Sequence, residues 1–425
     1  MRWWERGPIY QVYPRSFADG GLAGIRERLG YLRWLGVAAV WVGAINASPD
    51  VDWGYDVSDY YDVHPDLGGL DAFRALAGEG LPVVCDVVPN HSSDRHPWFV
   101  DPATRRTHYV WADEPNNWRS WKRMDDGWYL HQYRPEQPDL NWHEPRVRDE
   151  FDRIVRFWFD QGAAGLRIDV CDGLYHDAEL RDDAPGRRDR SRNQPETHAV
   201  LARWREIADG YDPPRVLLGE TGGDTALLAP FFGTPERPEV HVALDFPFAH
   251  TPFEPRALAA VVAAVEAALP AHAWPSWQLS SHDVPRFPTR WGADGVRLAL
   301  TMLLTLRGTP VLYYGDELGM PDTPVHRYDR RDGSRTPMPW SADPEPDEPW
   351  LPYGDVAACN VRDQRDDPGS LLHFTRNLIA LRNRSEDLLA GGYEELACDD
   401  DVWTFRRGER TVVSLDFTTG EATIA

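Results

Sequence analysis

Four cysteines in 425 residues are too few and too scattered to staple a fold with disulfides or to cage zinc. Cys85 and Cys171 fall in apolar runs and read as small buried hydrophobes. Positive charge is also scarce: 45 Lys and Arg face 68 Asp and Glu, a formal net charge of −23 at pH 7. That imbalance argues against nucleic acid or anionic membrane as a partner. It also disfavours phosphorylated ligands, unless a local basic pocket overrides the overall field. No apolar run approaches the length of a membrane span, and residues 1–8 carry no secretory h-region. The expectation is a cytoplasmic protein.

Apolar and aromatic residues are plentiful, with 42% hydrophobic residues, 19 Trp and 16 Tyr. Most of these rings are expected to fill core. Strand-like and helix-like segments alternate as in βα units. Strands are expected at 9–17, 38–45, 82–88, 165–170, 215–221, 240–246, 274–280 and 309–314. Helices are expected at 23–35, 70–77, 146–159, 196–208, 256–268, 296–306 and 371–384. This pattern predicts an α/β fold, a (β/α)8 TIM barrel, with an inserted subdomain after strand 3 and a small C-terminal β domain. The barrel would occupy 1–88 and 145–384, the insertion 89–144 and the terminal domain 385–425. Trp111, Trp118, Trp121 and Trp128 read as core of the insertion. The mixed-charge loop 177–194 reads as solvated surface, and a Pro/Asp-rich stretch at 339–352 precedes the last helix.

Asp169, Glu220 and Asp283 each stand at or just past the end of such a strand, where a barrel keeps its chemistry. Ionised carboxylates are costly to bury, so three in comparable positions point to one shared site. Two carboxyls about 5–5.5 Å apart, one ionised and one protonated, can cleave a glycosidic bond with retention. Arg167, two residues before Asp169 on the same strand face, would lower the pKa of that acid.

An ordered set of motifs carries a family resemblance. Asp86-Val-Val-Pro-Asn90-His91, Gly165-Leu-Arg167-Ile-Asp169, Gly219-Glu220 and Ser281-His282-Asp283 resemble the four signatures of the α-amylase superfamily of glycoside hydrolases. Gln137-Pro-Asp-Leu-Asn141 and Arg335-Thr-Pro-Met-Pro-Trp340 resemble its oligo-1,6-glucosidase and α-glucosidase group. The resemblance implies Asp169 as nucleophile, Glu220 as general acid and then base, and Asp283 as the carboxylate gripping sugar hydroxyls. It implies Asp52, Tyr55, His91, Arg167, His282 and Arg331 as substrate-binding residues, with Asp52 and Arg331 closing the pocket so that action is exo. Val170, next to the nucleophile, would favour α-1,6 linkages. Asp56, Asp86 and Asn90 read as holders of loops and hydrogen bonds, and Arg335 and Trp340 as scaffold.

The sequence departs from that pattern in places. The stretch Phe17-Ala-Asp19-Gly-Gly-Leu-Ala-Gly24 holds a single acid where many relatives carry a calcium loop, so no metal is expected there and no cofactor is implied. Ser281 replaces the usual Asn and is expected to loosen the bonding around His282. The implied substrate is a small oligosaccharide, hydrolysed as a short α-glucoside (isomalto- or malto-oligosaccharide, or sucrose). Transglycosylation or isomerisation through the same glucosyl-enzyme, and trehalose-6-phosphate hydrolysis, are the rival activities. The last would need basic residues such as Arg286, Arg290 or the 187–192 run beside the pocket. A non-catalytic transporter heavy chain is disfavoured because all three carboxylates are present.

Overall fold

Eight short β-rich runs become eight parallel strands in a computed structural model that describes residues 2–222, 225–244, 246–344, 346 and 349–425. The strands are β1 (Ile9–Val12), β2 (Ala39–Val42), β3 (Val83–Val87), β4 (Gly165–Ile168), β5 (Val216–Glu220), β6 (Val242–Leu244), β7 (Ser276–Gln278) and β8 (Thr309–Tyr313). Asp245, within the sixth expected strand, and Glu345, Asp347 and Glu348, within the Pro/Asp-rich stretch, lie outside the described residues. The strand order is β6-β5-β4-β3-β2-β1-β8-β7, every ladder parallel, which makes a (β/α)8 barrel. Among the described residues no ladder joins β6 to β7. The Ser276 hydroxyl spans that seam instead, donating to the Ala243 carbonyl at 2.7 Å.

Alternation along the strands sorts the core into two parts. Ile9, Ala39, Trp41, Val84, Val216, Leu218, Val242, Leu244 and Val311 form a cluster of their own inside the barrel. The opposite faces join the larger cluster shared with the helices. Gly165 is required at the base of β4: a Cβ there would fall 2.1 Å from Val216 Cγ1. The helix Pro145–Asp160 shows why the outer ring forms. Proline at its first turn costs no hydrogen bond, and Val147, Phe151, Ile154, Val155, Trp158 and Phe159 make one buried stripe.

Several elements are shorter than the apolar runs that announce them. The first strand ends at Val12, because Pro14 cannot donate to a ladder and opens the helical turn Pro14–Phe17. The helix expected over 23–35 is two, Leu22–Glu27 and Leu29–Leu35, broken at Arg28. The region 89–144 contains helices Pro97–Val100 and Pro102–His108 and an antiparallel sheet of Trp111–Ala112, Trp121–Met124 and Gly127–Leu130. Trp118 packs there with Val110 and Leu130. The loop 177–194 is not simply solvated surface: Asp177, Ser191 and Arg192 are buried, because each charge finds a partner. Arg192 Nη1 lies 3.2 Å from Asp172, and Asp177 binds Arg181.

Strands Tyr393–Cys398, Val402–Arg407, Thr411–Asp416 and Glu421–Ile424 form the C-terminal antiparallel sheet. Trp403, Phe405, Val413 and Leu415 join the main core. Buried Arg407 ties the sheet to the barrel, donating to the Leu388 carbonyl at 3.0 Å and to that of Thr305. Among the described residues no helix is long and apolar enough to cross a membrane.

Candidate active site

Arg167, wholly buried on β4, organises the floor of the site. Its Nη1 donates to Asp169 Oδ1 at 2.5 Å and to Asp86 Oδ2 at 3.2 Å. Its Nη2 lies 2.7 Å from Glu220 Oε2, a close contact without hydrogen-bond alignment. One guanidinium therefore grips the carboxyls at the ends of β4 and β5 side by side. Val170, at φ 46°, takes the left-handed conformation that β-branched residues avoid. The turn aims its N–H at Glu220 Oε2, 2.8 Å away.

These surroundings set the two acids apart. Burial pushes Glu220 up to about 8, with Asp169 and Asp283 adding to the rise against Arg167. Burial also raises Asp169, and with Arg167 pulling against that rise the carboxyl stands at about 6. At neutral pH Asp169 is ionised and Glu220 carries a proton, a division of labour suited to a nucleophile and an acid. Asp86 stays below them as a post, accepting from Trp41 Nε1 at 2.5 Å and from the Tyr55 hydroxyl at 2.7 Å.

Asp283 sits in the turn after β7. Burial works against its charge, yet His282, Arg331 and Arg335 together hold it well below the usual carboxylate range. Arg331 Nη1 donates to its Oδ1 at 2.7 Å, Arg335 Nη2 to the same oxygen at 3.2 Å, and His282 Nε2 lies 3.0 Å from Oδ2. Ser281 holds this turn, its Oγ accepting from the N–H groups of Asp283 and Val284, both at 3.1 Å. His282 is stacked flat on Tyr55, ring centroids 5.2 Å apart, and meets Gln11 Nε2 at Nδ1, 3.0 Å away. An amide N–H in that position leaves the proton on Nε2, facing Asp283.

The far wall is built from the loop after β2 and the insertion. Asp56 accepts from the N–H groups of Val51 and Asp52 at 3.0 and 2.9 Å, which fixes Asp52. Gln137 Nε2 donates to Asp52 Oδ2 at 3.2 Å and lies 3.1 Å from His91 Nε2. Burial lowers the pKa of His91, so it is a neutral hydrogen-bonding group. Arg331 Nη2 reaches Asp52 Oδ1 at 2.5 Å.

Asp52, Tyr55, His91, Asp169, Val170, Glu220, His282, Asp283 and Arg331 line one cavity of about 450 Å³, within the usual range for a small-molecule site. Arg167 does not line it but supports it from beneath. Sequence reasoning missed Tyr133, Arg134, Asp329 and Arg330, which also line it, and Gln11, whose side-chain amide meets His282. No periodicity marks those loop residues, although Gln137 lies within a quoted motif. Asp19 is exposed. Among the described residues one group of three possible metal ligands, Asp50, His64 and Asp66, has its ligand atoms within 4.8 Å of one another. Arg15 already occupies that place, 2.6 Å from Asp50 and 3.8 Å from Asp66, so the cluster fits a resident cation of the chain itself.

A (β/α)8 barrel with paired, unequally acidic carboxyls at its C-terminal mouth defines a glycoside hydrolase. The chain matches the family described as "Alpha amylase, catalytic domain" over residues 11–392, and it belongs to that family. It is 36% identical to a probable alpha-glucosidase of Rhizobium meliloti, covering 92% of this chain and 84% of the relative. It is 32% identical to an oligo-1,6-glucosidase of Parageobacillus thermoglucosidasius, covering 95% and 87%. Its structure is similar to that of the alpha-glucosyl transfer enzyme XgtA, with TM-score 0.89, 34% identity and coverage of 97% and 90%. It is also similar to the trehalulose synthase MutB of Pseudomonas mesoacidophila, with TM-score 0.89, 28% identity and coverage of 98% and 91%.

Proposed function

We propose that the protein is a retaining, exo-acting α-glucosidase that releases glucose from short α-glucosides. The observation that carries this reading is the pair Asp169 and Glu220 on one buried guanidinium, the first held at about 6 and the second at about 8. Glu220 gives its proton to the glycosidic oxygen while Asp169 attacks C1, so the leaving sugar departs as an alcohol and a glucosyl ester forms. Glu220, now ionised, takes a proton from water. That water adds to C1, the ester breaks, and the α configuration is restored. Asp283, kept ionised by Arg331 and Arg335, accepts hydrogen bonds from the ring hydroxyls and steadies positive charge at C1. The Asp52–Arg331 contact walls off the glycone end, which favours a single terminal glucose.

Val170, lining the cavity beside Asp169, supports an α-1,6 preference. Likeness to XgtA and MutB favours a second reading, in which a sugar replaces water as acceptor. For trehalose-6-phosphate, Arg286 and Arg290 turn away to bind the carbonyls of Tyr314 and Leu279, whereas Arg192 of the 187–192 run bonds the hydroxyl of Tyr133 on the cavity wall, so that substrate stays among the rivals. The test is turnover of isomaltose, maltose, sucrose, trehalose and trehalose-6-phosphate, with products and initial anomer followed by NMR. Free α-glucose, fastest from isomaltose and lost in Asp169→Ala, is the expected result. A β-anomer, or full activity in Asp169→Ala, would sink the mechanism, and new disaccharides would select the second reading.

A further inference from the structure

We infer that Arg134 is a specificity-determining residue, a latch that fixes the closed glycone end by gripping Asp329; this rests on the α-glucosidase reading. Arg331 is the wall of that end, and it is shared among three carboxylates: Asp52, Asp283 and Asp329. Its Nε and Nη2 bind the two oxygens of Asp329 at 3.0 and 2.9 Å. A doubly held Asp329 would draw the guanidinium off Asp52 and Asp283 if nothing else competed for it. Arg134 competes, reaching across from the insertion with Nη2 2.5 Å from Asp329 Oδ2 and Nε 3.7 Å from Asp52. With Arg335 on Asp283, three guanidiniums then balance three carboxylates.

Both ends of the latch are held in place. Asp332 Oδ2 accepts from the N–H groups of Arg327, Tyr328 and Asp329 at 2.8, 2.6 and 2.9 Å, which locks the loop carrying Asp329. The Arg134 N–H donates to Gln137 Oε1 at 3.1 Å, tying it to the residue that also binds Asp52. There is space behind the wall. A second cavity of about 530 Å³ shares Asp283, Arg330 and Arg331 with the first. Releasing Arg331 joins the two and makes room for another sugar unit beyond the terminal ring.

The test compares 4-nitrophenyl α-glucoside with 4-nitrophenyl α-isomaltoside. The intact enzyme must remove the terminal glucose of the isomaltoside first, so nitrophenol appears after a lag. In Arg134→Ala the lag disappears, and the initial-rate ratio of isomaltoside to glucoside rises about tenfold, equivalent to about 1.4 kcal/mol; Asp329→Asn, which removes the pull on Arg331, keeps the lag and restores it when added to Arg134→Ala. Arg134→Lys, which keeps the charge without the fork, restores part of the lag. If Arg134→Ala fails to fold, Arg134→Gln takes its place in the same comparison. A lag unchanged in Arg134→Ala, lost in Asp329→Asn, or absent from the parent enzyme, overturns the latch. A parent enzyme inert on the simple glucoside overturns the α-glucosidase reading instead.

Discussion

Glu220→Gln should destroy activity and, above pH 5, stabilise the fold. In the unfolded chain Glu220 ionises near 4.5, whereas the folded site holds it at about 8. Between those values folding must take up a proton, so wild-type stability falls by about 1.4 kcal/mol per pH unit. Glutamine does not titrate, and its carbonyl still accepts from the Val170 N–H. The sign follows: the variant's advantage is flat below pH 4.5, grows through the neutral range and levels off above pH 8. A fifth of the side chain (21%) faces solvent, so this slope is an upper bound. Unfolding entropy near 2.1 cal/mol/K per residue gives about 0.9 kcal/mol/K for a chain this long. The Tm difference should therefore widen by about 1.5 °C per pH unit. Thermal unfolding of both proteins at pH 5, 6, 7 and 8, at constant ionic strength, measures it. A difference that stays constant, or shrinks as pH rises, would refute the claim that the folded site keeps this carboxyl protonated. General-acid loss should lower kcat by about 10²–10⁴-fold for unactivated disaccharides.

The kcat/KM of the wild type should trace a bell with limbs near the values of Asp169 and Glu220, about 6 and about 8; undiminished activity at pH 10 would contradict it. Gln11→Leu removes the donor to His282 Nδ1 and should lower kcat/KM by up to about tenfold, in keeping with a hydrogen bond worth about 0.5–1.5 kcal/mol. Its circular dichroism should match the parent, and undiminished turnover would count against the tautomer argument. Gly165→Ala drives a methyl into Val216 and should cost about 1–3 kcal/mol, read as a lower Tm. An unchanged melting temperature would mean the strand yields more freely than the barrel core suggests.

Much of the framework was legible because a buried parallel sheet writes itself as apolar runs of fixed length. Strand ends were less so. Pro14 and the left-handed Val170 stop their strands by backbone constraint, inside sequences that still look apolar. The carboxylates were legible from position, since few forces place three acids at strand ends. Tyr133, Arg134 and Asp329 were not, because loop residues carry no period: Arg134 pairs with Asp329 across 195 positions of chain, and Tyr133 meets Arg192 across 59. Likewise the burial of Arg192 depends on Asp172, twenty residues earlier, and charge composition alone reads such a loop as solvated.

The lips of the unladdered gap lie close to two of the three carboxylates. Glu220 stands on the strand adjoining one lip and Asp283 follows directly from the other. Among the described residues a single side-chain hydroxyl, at position 276, threads the seam between those two groups, so Ser276→Ala would remove the hydrogen bond that joins its lips.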